Sequence, residues 1–311
     1  MKLTSIARCL PLALFLTGAA IASAIGATPT TELAQPAADS PAAHPLFTVK
    51  VVGKGQPMLL IPGLTCPGAV WDETVAHYQK QYQCHVVSLA GFGGQPAVPG
   101  ASPLLLPVRD QLLAYVKAQK LNQPVVVGHS LGGFLALWMS STQPNALGPL
   151  LILDSLPFMS AIQDPSLTAE KVKPRAEAMR KQMQSGPMPA AARRQMLAGL
   201  ITDTARISLA DRWGVASDPA TVGQAMYELS TTDLRADLAR IQQPVLVLGA
   251  WAAYKAYGST MESTRAIFAQ QYAQLPQHRI EMSEAGRHFL MWDDTAWFFT
   301  QADSFLRQAR K

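Results

Sequence analysis

The chain is short of charge, aromatics and cysteine, and each shortage narrows what it can be. Of its 311 residues 15% are charged and 7% aromatic, against 49% hydrophobic. A charge fraction well below the ~25% of an average soluble chain excludes disorder over most of the length. Three cysteines are too few for a disulfide-dense scaffold. The 26 basic residues outnumber the 21 acidic ones, for a formal charge of +5. They are scattered, with no run of five or more, so no nucleic-acid-binding arm is expected. Histidines and cysteines are too dispersed for zinc, and neither another metal-ligand spacing nor a cofactor motif is present. What remains is a globular protein long enough to bury a real core.

The first residues read as a targeting segment. Lys2 and Arg8 form a positive n-region, Cys9 to Ile21 an apolar stretch, and Ala22-Ser23-Ala24 a small-x-small cleavage pattern. A membrane anchor is the rival reading, but the apolar run is short of the ~20 residues that span a bilayer, and it holds Pro11 and Gly18. Cys9 lies too early for lipoprotein processing. Residues 1–24 are therefore expected to be a signal peptide, cleaved after Ala24 or alternatively Ala22. The product would be periplasmic or secreted, without a stable membrane anchor. Residues 25–45, rich in Ala, Pro, Thr and Ser, are expected to be a flexible leader. Cys66 follows one predicted strand and Cys84 begins the next, at opposite ends of a parallel sheet, so both are expected to be free thiols.

Beyond the leader, strands and helices alternate. Residues 47–52 and 58–61 are apolar runs separated by Gly53-Lys54-Gly55-Gln56-Pro57, a hairpin-like signal. A helical period over 70–80 precedes a strand at 85–89, ended by Gly91-Phe92-Gly93-Gly94. Then follow a helix at 107–119, a strand at 124–127, a helix at 131–142 and a strand at 150–153. After a long interval come a strand at 244–248, a helix at 263–274, a strand at 279–282 and a helix at 294–308. Apolar strands alternating with helices mean an α/β fold, a mostly parallel central sheet with helices on both faces. In such a sheet chemistry sits beyond the carboxyl ends of the strands.

One of those ends carries a nucleophile signature. Val125-Val126-Val127 runs into Gly128-His129-Ser130-Leu131-Gly132-Gly133 and then a helix. This is G-x-S-x-G between strand and helix, the context in which a tight turn presents the serine hydroxyl and the helix start offers N–H groups to an oxyanion. From about Phe47 to Phe305 the chain resembles the α/β-hydrolase superfamily, in its serine-nucleophile branch with a helical cap. Ile61-Pro62-Gly63-Leu64 resembles that fold's oxyanion loop, with Pro62 where His is common. Leu89-Ala90-Gly91-Phe92-Gly93 resembles its Leu-Pro-Gly-Phe-Gly turn. The resemblance implies an oxyanion hole made by the N–H groups of Leu64 and Leu131. It also implies a core of residues 46–156 and 241–311 and a helical cap at 157–240.

Serine needs a base. Of six histidines, His44 falls in the leader, His77 in a helix, and His85 and His278 before strands. His129 adjoins Ser130 but should point away from it. Only His288 follows the last strand, so it is the expected base. In most relatives the acid follows the strand at 244–248, but residues 249–258 hold no carboxylate. Three possibilities stand open: Asp154 after the preceding strand, Glu262 at a helix start, and a Ser-His dyad oriented by a backbone carbonyl. Asp154 also fits a plain loop cap. Asp293 and Asp294 follow His288 closely and are expected to cap the last helix.

The cap segment is rich in Met, and Met159, Met179, Met183, Met188, Met196 and Met226 would form its own core or its soft lining. Gly63, His129, Phe158 and Trp251 are candidate pocket residues, with Trp213 beside them. Asp233-Leu234-Arg235 reads as structural. The expected function is a secreted serine hydrolase cleaving a small-molecule carboxylic ester or lactone, largely uncharged, through an acyl-enzyme on Ser130 and without a cofactor. The alternatives are other cofactor-free chemistry on the same site (amide or carbon–carbon hydrolysis, perhydrolysis) or a non-catalytic ligand-binding member.

Overall fold

The computed structural model describes residues 44–162, 164–186 and 188–309, with the backbone alone at Ala256 and Tyr257. The expected signal peptide and all but the last two residues of the expected leader lie outside this range. Of those two, His44 is packed and Pro45 exposed. The His44 ring stacks on Phe47 at 4.9 Å and meets Tyr115 edge-on at 5.3 Å.

Among the described residues seven strands form one sheet in the order β1-β3-β2-β4-β5-β6-β7. They are β1 Phe47–Gly53, β2 Gln56–Ile61, β3 Tyr82–Leu89, β4 Val125–His129, β5 Leu150–Leu153, β6 Val245–Ala250 and β7 His278–Ser283. All neighbours run parallel except β1, which pairs antiparallel with β3. The hairpin expected between β1 and β2 does not form, because β3 lies between them. Gly53 and Gly55, both at positive φ, make room for it. A β-carbon on either would stand within 2.5 Å of carbonyl oxygens of Gln79 or Gln81, in the turn that leads into β3, or of Tyr82, its first residue.

Strand side chains alternate between two buried faces. Leu59, Ile61, Val126, Ile152 and Val247 face a cluster with Leu112 of α2 (Leu105–Ala118), Phe134 of α3 (Leu131–Thr142) and Phe268 of α8 (Met261–Gln271). Met58, Leu60, Val127, Leu153 and Leu248 face a second cluster with Tyr78 of α1 (Asp72–Tyr78), Leu290 of α9 (Leu290–Asp293) and Phe298 and Phe305 of α10 (Thr295–Ala309). Burial on both sides explains why these strands read as unbroken apolar runs. Cys66 and Cys84 are free and buried, as expected.

Between β5 and β6 the chain forms α4 (Ala169–Gln184), α5 (Ala190–Leu200), α6 (Thr204–Val215) and α7 (Pro219–Thr231). The segment is tied to loops beyond the carboxyl ends of the strands. After β3, Asp218 N donates to Gly91 O at 2.8 Å and Gly93 N donates to Ser217 Oγ at 2.9 Å. After β7, Thr202 N donates to Asp293 Oδ1 at 3.0 Å, and Arg287 donates to the carbonyls of Ala198 and Ile201. A buried carboxylate, Glu228 of α7, accepts from Leu104 N and Leu105 N at 2.7 Å each, capping the start of α2 from outside. That cap satisfies two donors no intrahelical acceptor can reach.

Two of the six methionines depart from both expectations. Met188 and Met196 are exposed at 45% and 47%, neither core nor lining. Met159, Met179, Met183 and Met226 are half-buried. Arg235 pairs with Asp233 at 2.7 Å, donates to Pro165 O and Leu167 O, and lies over the Phe158 ring, a structural role for that segment.

Candidate active site

Three loops meet beyond the ends of β2, β4 and β5, and each carries a strained residue. Of the five non-glycine residues at positive φ among those described, Thr65, Ser130 and Asp154 lie here. Such residues cost about 1–3 kcal/mol each and persist where the surroundings over-determine them. Ser130 sits at φ 52, ψ −117, between β4 and α3. Its N–H donates to Leu153 O at 2.9 Å and its carbonyl accepts from Phe134 N at 3.0 Å.

The glycines around it are required by close backbone approach. A β-carbon on Gly132 would stand 2.1 Å from Ile61 O, and one on Gly128 would stand 2.3 Å from Gly132 O. The absence of side chains thus lets α3 abut the end of β2. Leu131 opens α3, where backbone N–H groups lack intrahelical acceptors. Opposite it, Cys66 N donates to Gly63 O at 3.2 Å, closing a turn that contains Leu64. Gly63 lies close to the serine: a β-carbon there would be 3.3 Å from Ser130 Cβ and 2.8 Å from His129 Nδ1.

Asp154 and His288 are brought together. Asp154 Oδ2 is 2.6 Å from His288 Nδ1, with the two side chains 3% and 17% exposed. The other carboxylate oxygen accepts from Ala250 N at 2.9 Å, and Asp154 N donates to Leu248 O at 2.7 Å. Asp154 thus stands after β5 and leans onto the end of β6. Burial, and secondarily the Asp154 charge, pushes the phenols of Tyr254 and Tyr272 up, so both stay neutral beside it. Tyr272 Oη donates to Ser155 O at 2.8 Å.

Of the open alternatives, Glu262 is exposed in the first turn of α8, and the partner of His288 Nδ1 is a carboxylate rather than a backbone carbonyl. Asp293 and Asp294 do not use their side chains on the last helix. Asp293 accepts from Thr202 N and Arg287 N, and Asp294 from Ser283 Oγ at 2.6 Å, bracing the loop that carries His288. No motif marked that bracing, nor Ala250 N as a donor to Asp154, since both depend on loops meeting across the sheet.

Two pocket candidates are enclosed instead. Phe158 has no exposed surface and packs with Ala161 and Val172 beneath Arg235. His129 is 1% exposed and lies against His288 and Phe289. An apolar ring and a neutral imidazole at these positions are worth more packed than wet. Trp251 is half-buried after β6 with Lys255 Nζ 5.8 Å from its ring, and Trp213 is half-buried against Trp292 at 5.8 Å.

Residues 58–301 match the model of the alpha/beta hydrolase family. The chain belongs to that family. Pimeloyl-[acyl-carrier protein] methyl ester esterase of Aeromonas salmonicida is 34% identical to this chain over 121 residues, 39% of this chain and 46% of the relative. The corresponding enzyme of Aliivibrio salmonicida is 32% identical over 35% and 40% of the two chains. The chain thus spans less than half the length of these curated relatives. Among solved structures, the enol-lactonase of Burkholderia xenovorans LB400 has a TM-score of 0.67 at 15% identity, covering 84% of this chain and 96% of its own. A thermophilic esterase from Thermogutta terrifontis has a TM-score of 0.67 at 21% identity, covering 85% and 94%. At such identities these two share the α/β-hydrolase fold with this chain.

Proposed function

We propose that this α/β-hydrolase is a serine esterase or lactonase working through an acyl-enzyme on Ser130. The observation that carries the reading is the 2.6 Å contact of Asp154 Oδ2 with His288 Nδ1 beside a serine held at φ 52. A carboxylate on Nδ1 keeps the ring proton there and leaves Nε2 free to accept the Ser130 proton. Ser130 Oγ attacks the ester carbonyl carbon, and the negative oxygen is received by the N–H groups of Leu64 and Leu131. Collapse expels the alcohol, which takes the proton from His288 Nε2. Water, deprotonated by the same nitrogen, then releases the acid and restores Ser130.

The names of the relatives, methyl ester esterase above all, support an ester rather than an amide. Residues 157–240 act as a cap in this reading. Their ties to the loops after β3 and β7, which like Ser130 lie beyond the carboxyl ends of the strands, support it. The substrate is a small, largely uncharged acyl compound. The non-catalytic reading drew its support from the missing acid after β6, and Asp154 beside His288 removes that support. Export follows from residues 1–24 and is checked by the N-terminal mass of protein recovered from the periplasm or medium.

The central test is intact mass after treatment with a fluorophosphonate probe, with Ser130→Ala alongside. One adduct on the parent and none on the variant, with loss of turnover on short-chain p-nitrophenyl esters, is the expected result. Undiminished turnover in Ser130→Ala ends the mechanism.

A further inference from the structure

The steps above leave idle a second histidine packed against the base. His129 closes β4, immediately before Ser130, with its ring centroid 4.7 Å from that of His288 and 4.7 Å from that of Phe289. Its Nε2 lies 2.9 Å from the backbone carbonyl oxygen of His288. A carbonyl can only accept, so the ring proton sits on Nε2 and Nδ1 keeps a bare lone pair. Nδ1 is buried, without a hydrogen-bond partner among the described residues, and faces Gly63. A second ring proton would point at glycine backbone and add a charge beside His288. Burial foremost, then the neighbouring His288, holds the His129 pKa well below 6.5, against the opposing effect of the hydrogen bond to His288 O. The imidazole therefore stays neutral, with its single proton committed to one acceptor.

That acceptor belongs to the main chain that carries the base. Residues 284–289 lie beyond the end of β7, outside the strand ladder. Asp154 fixes the rotation of the His288 ring, but a ring held at one nitrogen still moves with its backbone. We infer that His129 is a positioning residue: its Nε2–H ties the His288 main chain to the strand end that presents Ser130, fixing the distance from base to nucleophile. This rests on the Ser130–His288 mechanism proposed above. It also assigns the partner loop, because an imidazole in this place leaves no room for any residue but glycine at position 63.

Three substitutions separate donor from packing. His129→Phe keeps a ring against Phe289 but donates nothing. His129→Gln brings an amide N–H near the former Nε2, while His129→Asn is one methylene too short. A misplacement of about 1 Å costs on the order of 10²-fold in rate. His129→Phe is therefore expected to lower kcat by about that factor with KM changed less than about threefold, since the loss falls on the reacting geometry and not on ground-state binding. His129→Gln should recover to within about tenfold of the parent, and His129→Asn should not. The rate of fluorophosphonate labelling should follow the same order, scored on protein shown folded by its melting transition.

A packing role gives the reverse order, with Phe the most active, and overturns the inference. If the Phe variant fails to fold, Gln against Asn decides, and equal labelling rates in that pair also overturn it. Ser130→Ala is run in parallel. If it is inert while His129→Phe labels at the parent rate, His129 alone loses its role. If Ser130→Ala still turns over, the parent mechanism falls and this inference with it.

Discussion

Asp154→Asn exchanges one oxygen for an NH₂ and tests whether position or contact defines the acid. In the parent, Oδ1 accepts from Ala250 N at 2.9 Å and Oδ2 faces His288 Nδ1 at 2.6 Å. Asparagine has one acceptor and one donor for these two places. If its oxygen stays on the backbone N–H, its NH₂ turns toward Nδ1, which must then accept. The ring proton moves to Nε2, the nitrogen that receives the Ser130 proton in the proposed mechanism. The opposite rotamer keeps the productive tautomer but sets NH₂ against the Ala250 N–H, leaving a buried donor unpaired at about 1–3 kcal/mol. Loss of the charge that stabilises the imidazolium adds about 1.5–3 kcal/mol, the worth of a hydrogen bond to a charged group. Together these amount to roughly 3–6 kcal/mol on the barrier, a fall of about 10²–10⁴-fold in kcat. Volume and one of the two bonds are kept, so the melting temperature should move by only a few degrees. The assay is kcat on a p-nitrophenyl ester together with the fluorophosphonate labelling rate, with Glu262→Gln as the comparison. A folded Asp154→Asn protein within tenfold of the parent would refute the reasoning, and a selective loss in Glu262→Gln would move the acid there.

Gly132→Ala gains about 1 kcal/mol of helix propensity, but its methyl would meet Ile61 O at 2.1 Å and Pro62 O at 2.7 Å. Backbone cannot yield as a side chain can, so a net loss of about 3 kcal/mol or more is expected in urea unfolding, with activity lost. Glu228→Gln removes the charge that caps α2 and turns an NH₂ toward Leu104 N or Leu105 N, both now 2.7 Å from carboxylate oxygens. It should destabilise by about 2 kcal/mol, read by chemical denaturation. The third concerns pH. With the folded pKa of His129 held well below 6.5, the unfolded chain binds the extra proton first as pH falls. Stability present above about pH 6.5 is then lost on acidification, by up to about 1.4 kcal/mol per pH unit from this residue. His85, buried in β3, shifts in the same direction. Melting temperatures between pH 7.5 and pH 5 should fall, less steeply in His129→Gln.

What was legible in the chain follows from how far apart the deciding contacts lie. Strands β4 and β5 and helix α3 could be read almost to the residue, because an apolar run, a Gly-x-Ser-x-Gly turn and a helical period follow one another without a gap. The order of the first three strands could not be. Gly53 and Gly55 carry the chemistry of a tight hairpin, yet they serve the close approach of β3, a strand that begins at Tyr82. Local turn signals say that the chain bends, not which strand it bends beside. Phe158 shows the same limit. As an aromatic residue at the start of the insertion it suits a pocket wall, and only the arrival of Arg235 and Val172 from distant sequence encloses it. Asp293 and Asp294 looked like helix caps because they precede a helix, but their acceptors are taken by Thr202, Arg287 and Ser283.

The placement of Asp154 shows why an empty position after β6 need not leave His288 without a carboxylate. Strands β5 and β6 are parallel neighbours with Leu153 opposite Leu248. The residue after Leu153 therefore stands beside the loop that follows β6, where most relatives by resemblance carry their carboxylate. Asp154 turns into that loop at φ 41, with its own N–H on Leu248 O and its Oδ1 on Ala250 N. The backbone N–H of Ala250 thus orients a carboxylate supplied by the adjacent strand, and Trp251 and Ala252 beyond it are relieved of any need for charge. A strained backbone at Asp154 costs about 1–3 kcal/mol, which the two main-chain hydrogen bonds and the contact with His288 offset at about 1 kcal/mol or more apiece. Losing both side-chain contacts at once leaves that strain uncompensated, whereas keeping one of them largely preserves the balance. Asp154→Ala should therefore cost stability as well as rate, and Asp154→Asn mostly rate, a contrast that a plain loop-capping aspartate would not produce.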